Sequence, residues 1–272
     1  MKKNKLITFF SWLLAIVFLS PFYIVFTNSL KTSKGIFLKI TSLPFGKYFN
    51  PSNYIEAFEK LDFLRSFLNS LFITVTSTIF IVFFASMAAW MLVRSKTKLS
   101  KFLFFLFAGA MLIPFQSVML PLVNIMGKLN LLNVGGLIFM YLGFGSSLSI
   151  ILYHGFIKGI PKELEEAAIL DGCNKFEVYW YIILPLLKPI TVTVSILNVM
   201  WIWNDFLLPQ LVIGGSSKWA TIPLKMFYFF GQFSKKWHWA LAGLVIAMVP
   251  IIIFYFIAQK QIVKGITKGS IK

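Results

Sequence analysis

The sequence predicts an all-α, polytopic membrane protein whose chain crosses the bilayer six times. Its composition is the first reason, because 58% of the 272 residues are hydrophobic and only 13% are charged. In soluble domains about half of the residues are apolar and about a quarter are charged. The second reason is that the apolar residues are gathered into runs close to the roughly 20 residues that span a hydrocarbon core. Polar residues and most charged residues lie between these runs, where water or lipid headgroups can solvate them.

Each apolar run predicts one transmembrane helix. The first follows three lysines, but it is too long for the apolar stretch of a signal peptide and lacks a small-residue cleavage site, so we interpret it as an uncleaved helix. Pro114 and Pro121 remove backbone hydrogen bonds from the third run and predict a kinked helix. Gly143 and Gly145 in the fourth run allow close approach of another helix. The runs cover approximately residues 6–27, 67–93, 102–126, 134–156, 190–213 and 240–258.

The polar segment after the first run suggests a division of the chain. Residues 28–65 form the longest connection between runs and contain two prolines and three carboxylates. We therefore predict that residues 1–66 comprise the first transmembrane helix and a long extracytoplasmic loop. Residues 67–272 are predicted to form the core transmembrane domain, which includes the loop of residues 158–188.

The distribution of lysine and arginine predicts the orientation of the helices. With a cytoplasmic N-terminus, the inside segments hold fifteen of these residues and the short outside links hold five. The long first loop adds six more outside, but long loops count less in the positive-inside rule. Both termini and the loop of residues 158–188 are therefore predicted to be cytoplasmic, in a multi-pass protein of the cell membrane.

Several functional classes are disfavoured by the residues present. The net charge of +17 comes from cations at the ends of apolar runs, which suits lipid headgroups rather than the clustered basic face of a nucleic-acid-binding protein. One cysteine and two histidines predict no zinc site and no intrachain disulfide. No Gly-x-x-x-x-Gly-Lys-Ser/Thr sequence occurs, and Gly127-Lys128 is followed by leucine, so a phosphate-binding loop of the Walker type is not predicted. We predict no cofactor and no enzymatic activity in this chain.

Residues 158–188, here called the acidic loop, hold five of the nine carboxylates of the chain. Pro161 and the glutamates that follow favour a helix start, and Gly172 is suited to a left-handed helix end. A second helical piece is predicted from Lys175 to Ile183. The two alanines allow close approach of a partner, so the first helix is either a docking surface or a solvated connector. Its candidate face comprises Leu164, Ala167, Ala168 and Asp171.

A polar stripe is predicted in the fifth run. Asp205 is the only carboxylate inside a run, and Asn198 lies seven residues earlier on nearly the same helical face, with Asn204 next to Asp205. Intramembrane carboxylates usually face a cavity or a partner. The stripe either lines a path for a hydrophilic solute or holds helices together. Gln116 and Ser117 are weaker candidates for such a path.

The acidic loop carries a recognisable motif. Glu166-Ala167-Ala168, two residues, Asp171-Gly172 and then Ile182-Ile183-Leu184-Pro185 resemble the loop by which permeases of binding-protein-dependent ABC importers contact their ATPase subunits. Residues 203–209, Trp-Asn-Asp-Phe-Leu-Leu-Pro, are similar to a segment of the carbohydrate branch, as are residues 222–224, Gln259 and residues 265–269. The chain ends differently from that branch, which leaves a contact between its tail and the ATPase open.

This resemblance implies a type I ABC importer permease fold and a set of partners. These are a second homologous permease, two ATP-binding cassette ATPase subunits, an extracytoplasmic solute-binding protein and membrane lipid. ATP hydrolysis would occur on the separate ATPase chains. The residues implied to couple to the ATPase are Glu166, Ala167, Ala168, Asp171 and Gly172, and the residues predicted for the translocation path are Asn198, Asn204, Asp205 and Gln116.

The leading interpretation is thus the membrane subunit of an ATP-driven importer of a sugar or oligosaccharide. The alternative is an ion-coupled secondary transporter of a small polar solute in which Asp205 is the coupling carboxylate. Such transporters usually carry the whole pathway in one longer chain and need no ATPase dock. A membrane enzyme is disfavoured because no group of histidine, cysteine and carboxylate residues marks a membrane edge. The sequence does not specify the sugar.

Overall fold

The computed structural model describes residues 5–215, 217–229 and 236–270, with the backbone alone for Leu6, Tyr228, Phe229 and residues 260–270. Within these residues the chain consists of helices and their connections, with one isolated bridge between Lys31 and Phe49. The predicted all-α class is therefore confirmed. A 3-10 turn occupies Gly46–Tyr48 and a π-helix occupies Val178–Ile183. The α-helices are α1 (Lys5–Ser29), α2 (Ser33–Leu38), α3 (Asn53–Lys60), α4 (Phe63–Arg94), α5 (Lys98–Ala110), α6 (Phe115–Lys128), α7 (Val134–Ile157), α8 (Glu163–Leu170), α9 (Lys175–Glu177), α10 (Leu184–Leu186), α11 (Lys188–Asn204), α12 (Leu207–Val212), α13 (Ile222–Phe229) and α14 (Trp237–Ser270).

Six candidate spans can be counted in the described part of the chain. Helices α1, α4, α7 and α14 are each long and apolar enough to cross a membrane. Two further pairs qualify together: α5 with α6, bent by 105°, and the segment Lys175–Leu186 with α11, bent by 76°. Counting each bent pair as one span gives the six spans that the sequence predicts.

The third run is broken rather than kinked. Pro114 has an extended backbone, with φ −66° and ψ 137°, and directly precedes α6. Proline also disfavours helical geometry in the residue before it, so α5 ends ahead of this point. Pro121 stays inside α6. The fifth run is broken as well, because α11 ends at Asn204 and Asp205 has an extended backbone.

The chain divides into two compact units. The first comprises Met1–Phe67 with Thr221–Ile253, and the second comprises Leu68–Ala220 with Phe254–Lys272. These units describe packing. The division into a first helix with its loop and a core domain beginning at residue 67 stays a prediction.

The first unit contains a network of polar groups around a buried lysine. Lys31 is 1% exposed, and its Nζ donates to Asn28 Oδ1 at 3.1 Å and to the carbonyls of Lys39 at 2.7 Å and Ile40 at 3.2 Å. Asn53 Nδ2 donates to the carbonyl of Lys31 at 2.9 Å. Burial lowers the pKa of the Lys31 amine from its ordinary value. These bonds satisfy backbone groups where the loop after α1 folds back on itself.

The second unit contains two apolar clusters. One surrounds the base of the acidic loop and includes Trp90, Ile157, Ala168, Tyr179 and Val194. The other includes Ile73, Ile81, Tyr141, Ile202 and Leu208. The first cluster holds the acidic loop against α4 and α7, and the second surrounds the residues that contact Asp205.

Candidate functional site

The acidic loop forms the two helical pieces that the sequence predicts. Pro161 lies before the first piece, not at its first helical position, because α8 begins at Glu163. At the other end, Gly172 has a φ of 92°, the positive value expected for a glycine that ends a helix. The N–H of Gly172 donates to the carbonyl of Ile169, and the N–H of Cys173 donates to that of Ala168, both at 3.0 Å. These two bonds form a Schellman motif, so the end of α8 is locally defined.

The return segment begins with an equally well-defined cap. The side-chain oxygen of Asn174 accepts from the N–H groups of Phe176 at 2.9 Å and Glu177 at 3.1 Å. Glu177 Oε2 accepts in turn from the N–H of Asn174 at 2.7 Å, which completes a capping box. The chain then continues through the π-helix, a geometry that often occurs at functional sites.

The face of α8 differs from the one predicted. Ala168 is 7% exposed and packs in the apolar cluster at the base of the loop, so it does not share an outward face with Leu164, Ala167 and Asp171. The reason is that Glu165, three residues before Ala168, is also held inward. The outward side carries Leu164 and Ala167, together with apolar residues that sequence analysis did not select: Ile169 at 53% exposure and Leu170 at 88%.

Glu165 connects α8 to the end of α4. Its Oε1 accepts from Arg94 Nε at 2.6 Å, and its Oε2 accepts from Trp90 Nε1 at 3.0 Å. Arg94 Nη2 also donates to the carbonyl of Ile160 at 3.0 Å. The side chains of Arg94 and Glu165 are 15% and 10% exposed. The sequence shows all three residues but does not indicate that they meet.

The π-helix also contacts α4, through residues that lie one to two turns before the C-terminal end of α4. The hydroxyls of Tyr179 and Ser86 lie 2.7 Å apart, and the rings of Tyr179 and Trp90 have centroids 5.6 Å apart. A cavity of about 350 Å³ lies beside these contacts, and its lining includes Arg94, Glu165 and Lys175. Both pieces of the acidic loop are therefore joined to the last turns of α4.

The residues of the predicted polar stripe do not act together, because Asn198 and Asp205 contact α7 at two separate places. Asn198 is 6% exposed, and its Nδ2 donates to Ser149 Oγ at 3.0 Å and to the carbonyl of Val194 at 2.9 Å. Asp205 Oδ2 accepts from Tyr141 Oη at 2.9 Å, and Oδ1 accepts from the N–H of Leu207 at 3.0 Å. Asp205 lies in the break after α11, so it does not continue the helical face of Asn198.

The other two path candidates are exposed and lie apart from these bonds. Asn204 Nδ2 donates to the carbonyl of Met200 at 2.7 Å, within its own helix. Gln116 lies in the first turn of α6. Trp201 is 41% exposed and packs edge-on against Tyr141, with ring centroids 5.5 Å apart. Tyr141 therefore contacts both Asp205 and Trp201, although sequence analysis did not include Tyr141 among the site residues.

No group of three or more histidine, cysteine or carboxylate residues that could hold a metal ion occurs in the described segments. The part of the tail that the resemblance relates to the ATPase, residues 265–269, is described by its backbone alone, as the end of α14. Ile271 and Lys272 lie outside the described residues. The tail contact, which the sequence leaves open, therefore falls on residues whose side chains lie outside the described part of the chain.

Comparison with known proteins decides the family. Residues 81–268 match the family model described as "Binding-protein-dependent transport system inner membrane component". The chain belongs to this family. Its membership agrees with the position of the Glu166–Gly172 motif on a compact loop and with the apolar spans on either side of that loop.

Two relatives align with this family member over nearly their whole length. The "Probable starch degradation products transport system permease protein AmyC" of Thermoanaerobacterium thermosulfurigenes is 50% identical over 99% of this chain and 97% of its own. The "Melibiose/raffinose/stachyose import permease protein MelC" of Bacillus subtilis (strain 168) is 34% identical over 100% and 98%. The predicted resemblance to carbohydrate ABC permeases is thereby confirmed.

A solved structure confirms the fold. It is that of a bacterial ABC transporter involved in the import of the acidic polysaccharide alginate, and it matches with a TM-score of 0.77. The match covers 96% of this chain and 98% of that chain at 22% identity. The family model and the solved structure therefore agree: the first shows the family of this chain, and the second shows its fold.

Proposed function

We propose that this chain is one of two permease subunits in an ATP-driven importer of sugars, with two ATPase subunits on the cytoplasmic side and an extracytoplasmic binding protein that delivers the solute. Family membership supports the permease role. The names of the relatives support the solute class, because they refer to starch degradation products and to melibiose, raffinose and stachyose. A short oligosaccharide, and among these an α-glucan fragment, is the solute we propose.

The observation that carries this proposal is the outward side of α8. Leu170 is 88% exposed and Phe176, just after the turn, is 68% exposed, on a loop whose central turn is fixed by a Schellman motif and a capping box. Apolar side chains on a rigid, charged loop are suited to the groove of a soluble partner, where an amphipathic helix inserts its apolar residues. We assign the ATPase subunit as that partner.

The proposed orientation places both termini and the acidic loop in the cytoplasm. The bias of fifteen basic residues inside against five in the short outside links supports it. The network around Lys31 would then lie on the extracytoplasmic side. A docking loop for an ATP-consuming subunit has to face the compartment that contains ATP, so the orientation and the docking role are consistent with each other.

The proposed path for the solute passes Asp205, Asn204 and Trp201. Asn204 and Trp201 are exposed, and Asp205 is half-buried with one oxygen bonded to Tyr141. Hydroxyl-rich solutes bind to carboxylate and amide groups and pack against aromatic rings, and these residues supply both. Asn198 is instead assigned to packing between helices, because its Nδ2 is buried and bonded to Ser149 and Val194. Gln116 remains a candidate for the path because its side chain is exposed.

Reconstitution tests the proposal directly. The complex would be purified through a tag on this chain, and the presence of a second permease and an ATPase would be determined by mass spectrometry. Proteoliposomes containing the complex are expected to accumulate radiolabelled maltotriose only with ATP inside and the binding protein outside. Uptake driven by an ion gradient without ATP would contradict the proposal and favour the secondary transporter.

A further inference from the structure

We propose that Arg94, Glu165 and Trp90 form a coupling latch, defined here as the three side chains that join α8 to the last turns of α4. Glu165 and Arg94 are then positioning residues, which pass a displacement of the docked loop to the membrane helix. This inference rests on the proposed function, since it assumes that the ATPase moves α8. It concerns residues outside the Glu166–Gly172 motif.

The hydrogen bonds of the latch hold α8 in one orientation relative to α4. Both carboxylate oxygens of Glu165 are used, one by Arg94 and one by the indole N–H of Trp90. Arg94 also holds the carbonyl of Ile160 at 3.0 Å, three residues before α8 begins. One guanidinium therefore fixes both the connection into α8 and its first turn. The guanidinium presents its N–H groups as a rigid planar fork, so one side chain can hold two acceptors in a defined orientation, and its bond to the carboxylate is charge-assisted.

Close packing alone does not join α8 to α4 at this level. Ala168 contributes to the apolar cluster, but an open cleft of about 350 Å³ lies between parts of the two elements, with Met91, Ile169 and Val178 among its lining residues. Side chains on opposite walls of this cleft do not pack against each other. The latch therefore resists displacement of α8 where the packing is incomplete.

The chemistry also favours a role beyond stability. A buried ion pair is weak evidence for stability, because the loss of hydration offsets much of the attraction, and apolar side chains of similar volume often serve as well. What an ion pair adds is orientation. Ala168 shows that α8 already has an apolar contact with the core, so Arg94 and Glu165 supply a fixed direction that this contact does not.

Helix α4 offers a route from the latch to α11, the helix that also carries Trp201 and Asn204 of the proposed solute path. Ile81 lies thirteen residues before Arg94 on α4, about 20 Å away at the helical rise of 1.5 Å per residue. Its side chain lies against Gly145 of α7, where Asn198 of α11 also makes contact.

The test uses the whole complex in proteoliposomes, with its binding protein and radiolabelled maltotriose. The quantity measured is the number of maltotriose molecules imported per ATP hydrolysed. Glu165→Gln keeps the shape and removes the charge, Arg94→Met removes the guanidinium, and Arg94→Lys keeps the charge but loses the fork. Glu163→Gln is the matched control, because Glu163 is an exposed carboxylate in the same first turn.

We expect Glu165→Gln and Arg94→Met to lower this ratio by about tenfold while ATP hydrolysis continues, a change within the usual range of coupling between sites. Arg94→Lys should retain more of this ratio than Arg94→Met. The variant with both Glu165→Gln and Arg94→Met should lose no more than either single variant, and Glu163→Gln should match the wild type. A merely structural role would lower recovery of the complex but leave the ratio unchanged in what is recovered, and that result would overturn the latch. If the wild-type complex contained no ATPase, the proposed function itself would fail.

Discussion

Tyr141 on α7 donates a hydrogen bond to Asp205 Oδ2 across 2.9 Å, at the break between α11 and α12. The other oxygen of the same carboxylate accepts from the N–H of Leu207, at the start of α12. A charged group at membrane depth costs roughly 2.5 to 3.5 kcal/mol on insertion scales, so compensation of this kind is expected. Asp205 thus fixes the geometry of the break, and we propose that it also faces the solute path.

Three substitutions separate these two roles of Asp205. Asp205→Asn keeps an acceptor for Leu207, so we expect normal recovery of the complex and reduced transport. Asp205→Leu removes both acceptors and should impair recovery too. Tyr141→Phe removes one donor and should destabilise the protein by about 1 to 3 kcal/mol, the usual penalty for a polar group left without its partner.

The measurements are maltotriose uptake by reconstituted complexes and the yield of assembled complex. Wild-type uptake by Asp205→Leu would remove Asp205 from the path. It would also leave the break between α11 and α12 without a functional explanation.

Gly145 leaves little room for a side chain. A Cβ at this position would lie 2.5 Å from Ile81 Cδ1 and 2.8 Å from Asn198 Oδ1. Gly145→Ala should therefore destabilise the packing of α4, α7 and α11 by about 1 to 3 kcal/mol, as overpacking of a core does. Gly143→Ala is the control, because nothing lies within 4 Å of its Cβ position. Thermal unfolding of the two purified variants in detergent would compare them, and equal midpoints would argue against the close contact.

Gly172 is constrained by its backbone rather than by its neighbours. Its φ is 92°, and no atom lies within 4 Å of an added Cβ. Gly172→Val should therefore distort the end of α8 and weaken recovery of the ATPase with this chain, because a β-branched residue at positive φ is strained by about 1 to 2 kcal/mol or more. Gly109→Ala, near the end of α5, serves as a general control, because no atom lies within 4 Å of its Cβ position. Unchanged ATPase recovery with Gly172→Val would mean that the conformation of the turn does not matter for docking.

The sequence predicts much of this fold because lipid imposes strong rules. Apolar runs of about 20 residues have to be helices, and the run boundaries follow from charge. The breaks were harder to predict. Pro114 signals a kink, but whether the chain bends slightly or turns by 105° depends on tertiary packing. The end of α11 is not evident from hydropathy because the apolar run continues through Asp205, although Asn204, Asp205 and Pro209 are residue types that favour helix ends.

The acidic loop shows a similar limit. Glu165 reads as one glutamate among three at a helix start, and its partner Arg94 is 71 residues away. Once Glu165 is held inward, the helical period of 3.6 turns Ala168 inward as well, so the predicted face containing both alanines is divided. Helical periodicity gives relative directions around a helix, whereas the direction that faces the core depends on a distant partner.

We propose that the outward side of α8 binds the ATPase subunit in the cytoplasm, and site-directed crosslinking can detect this contact. The single cysteine would be removed by Cys173→Ser, and Leu170→Cys would place a thiol at the most exposed apolar position of α8. Leu43→Cys, at an exposed position in the segment after α1, is the comparison. A bifunctional thiol–amine reagent would then be applied to membranes. We predict that Leu170→Cys crosslinks to the ATPase and resists impermeant thiol reagents added outside intact cells, whereas Leu43→Cys reacts with those reagents and yields no ATPase product. Labelling of Leu170→Cys from outside, without any ATPase product, would contradict the account.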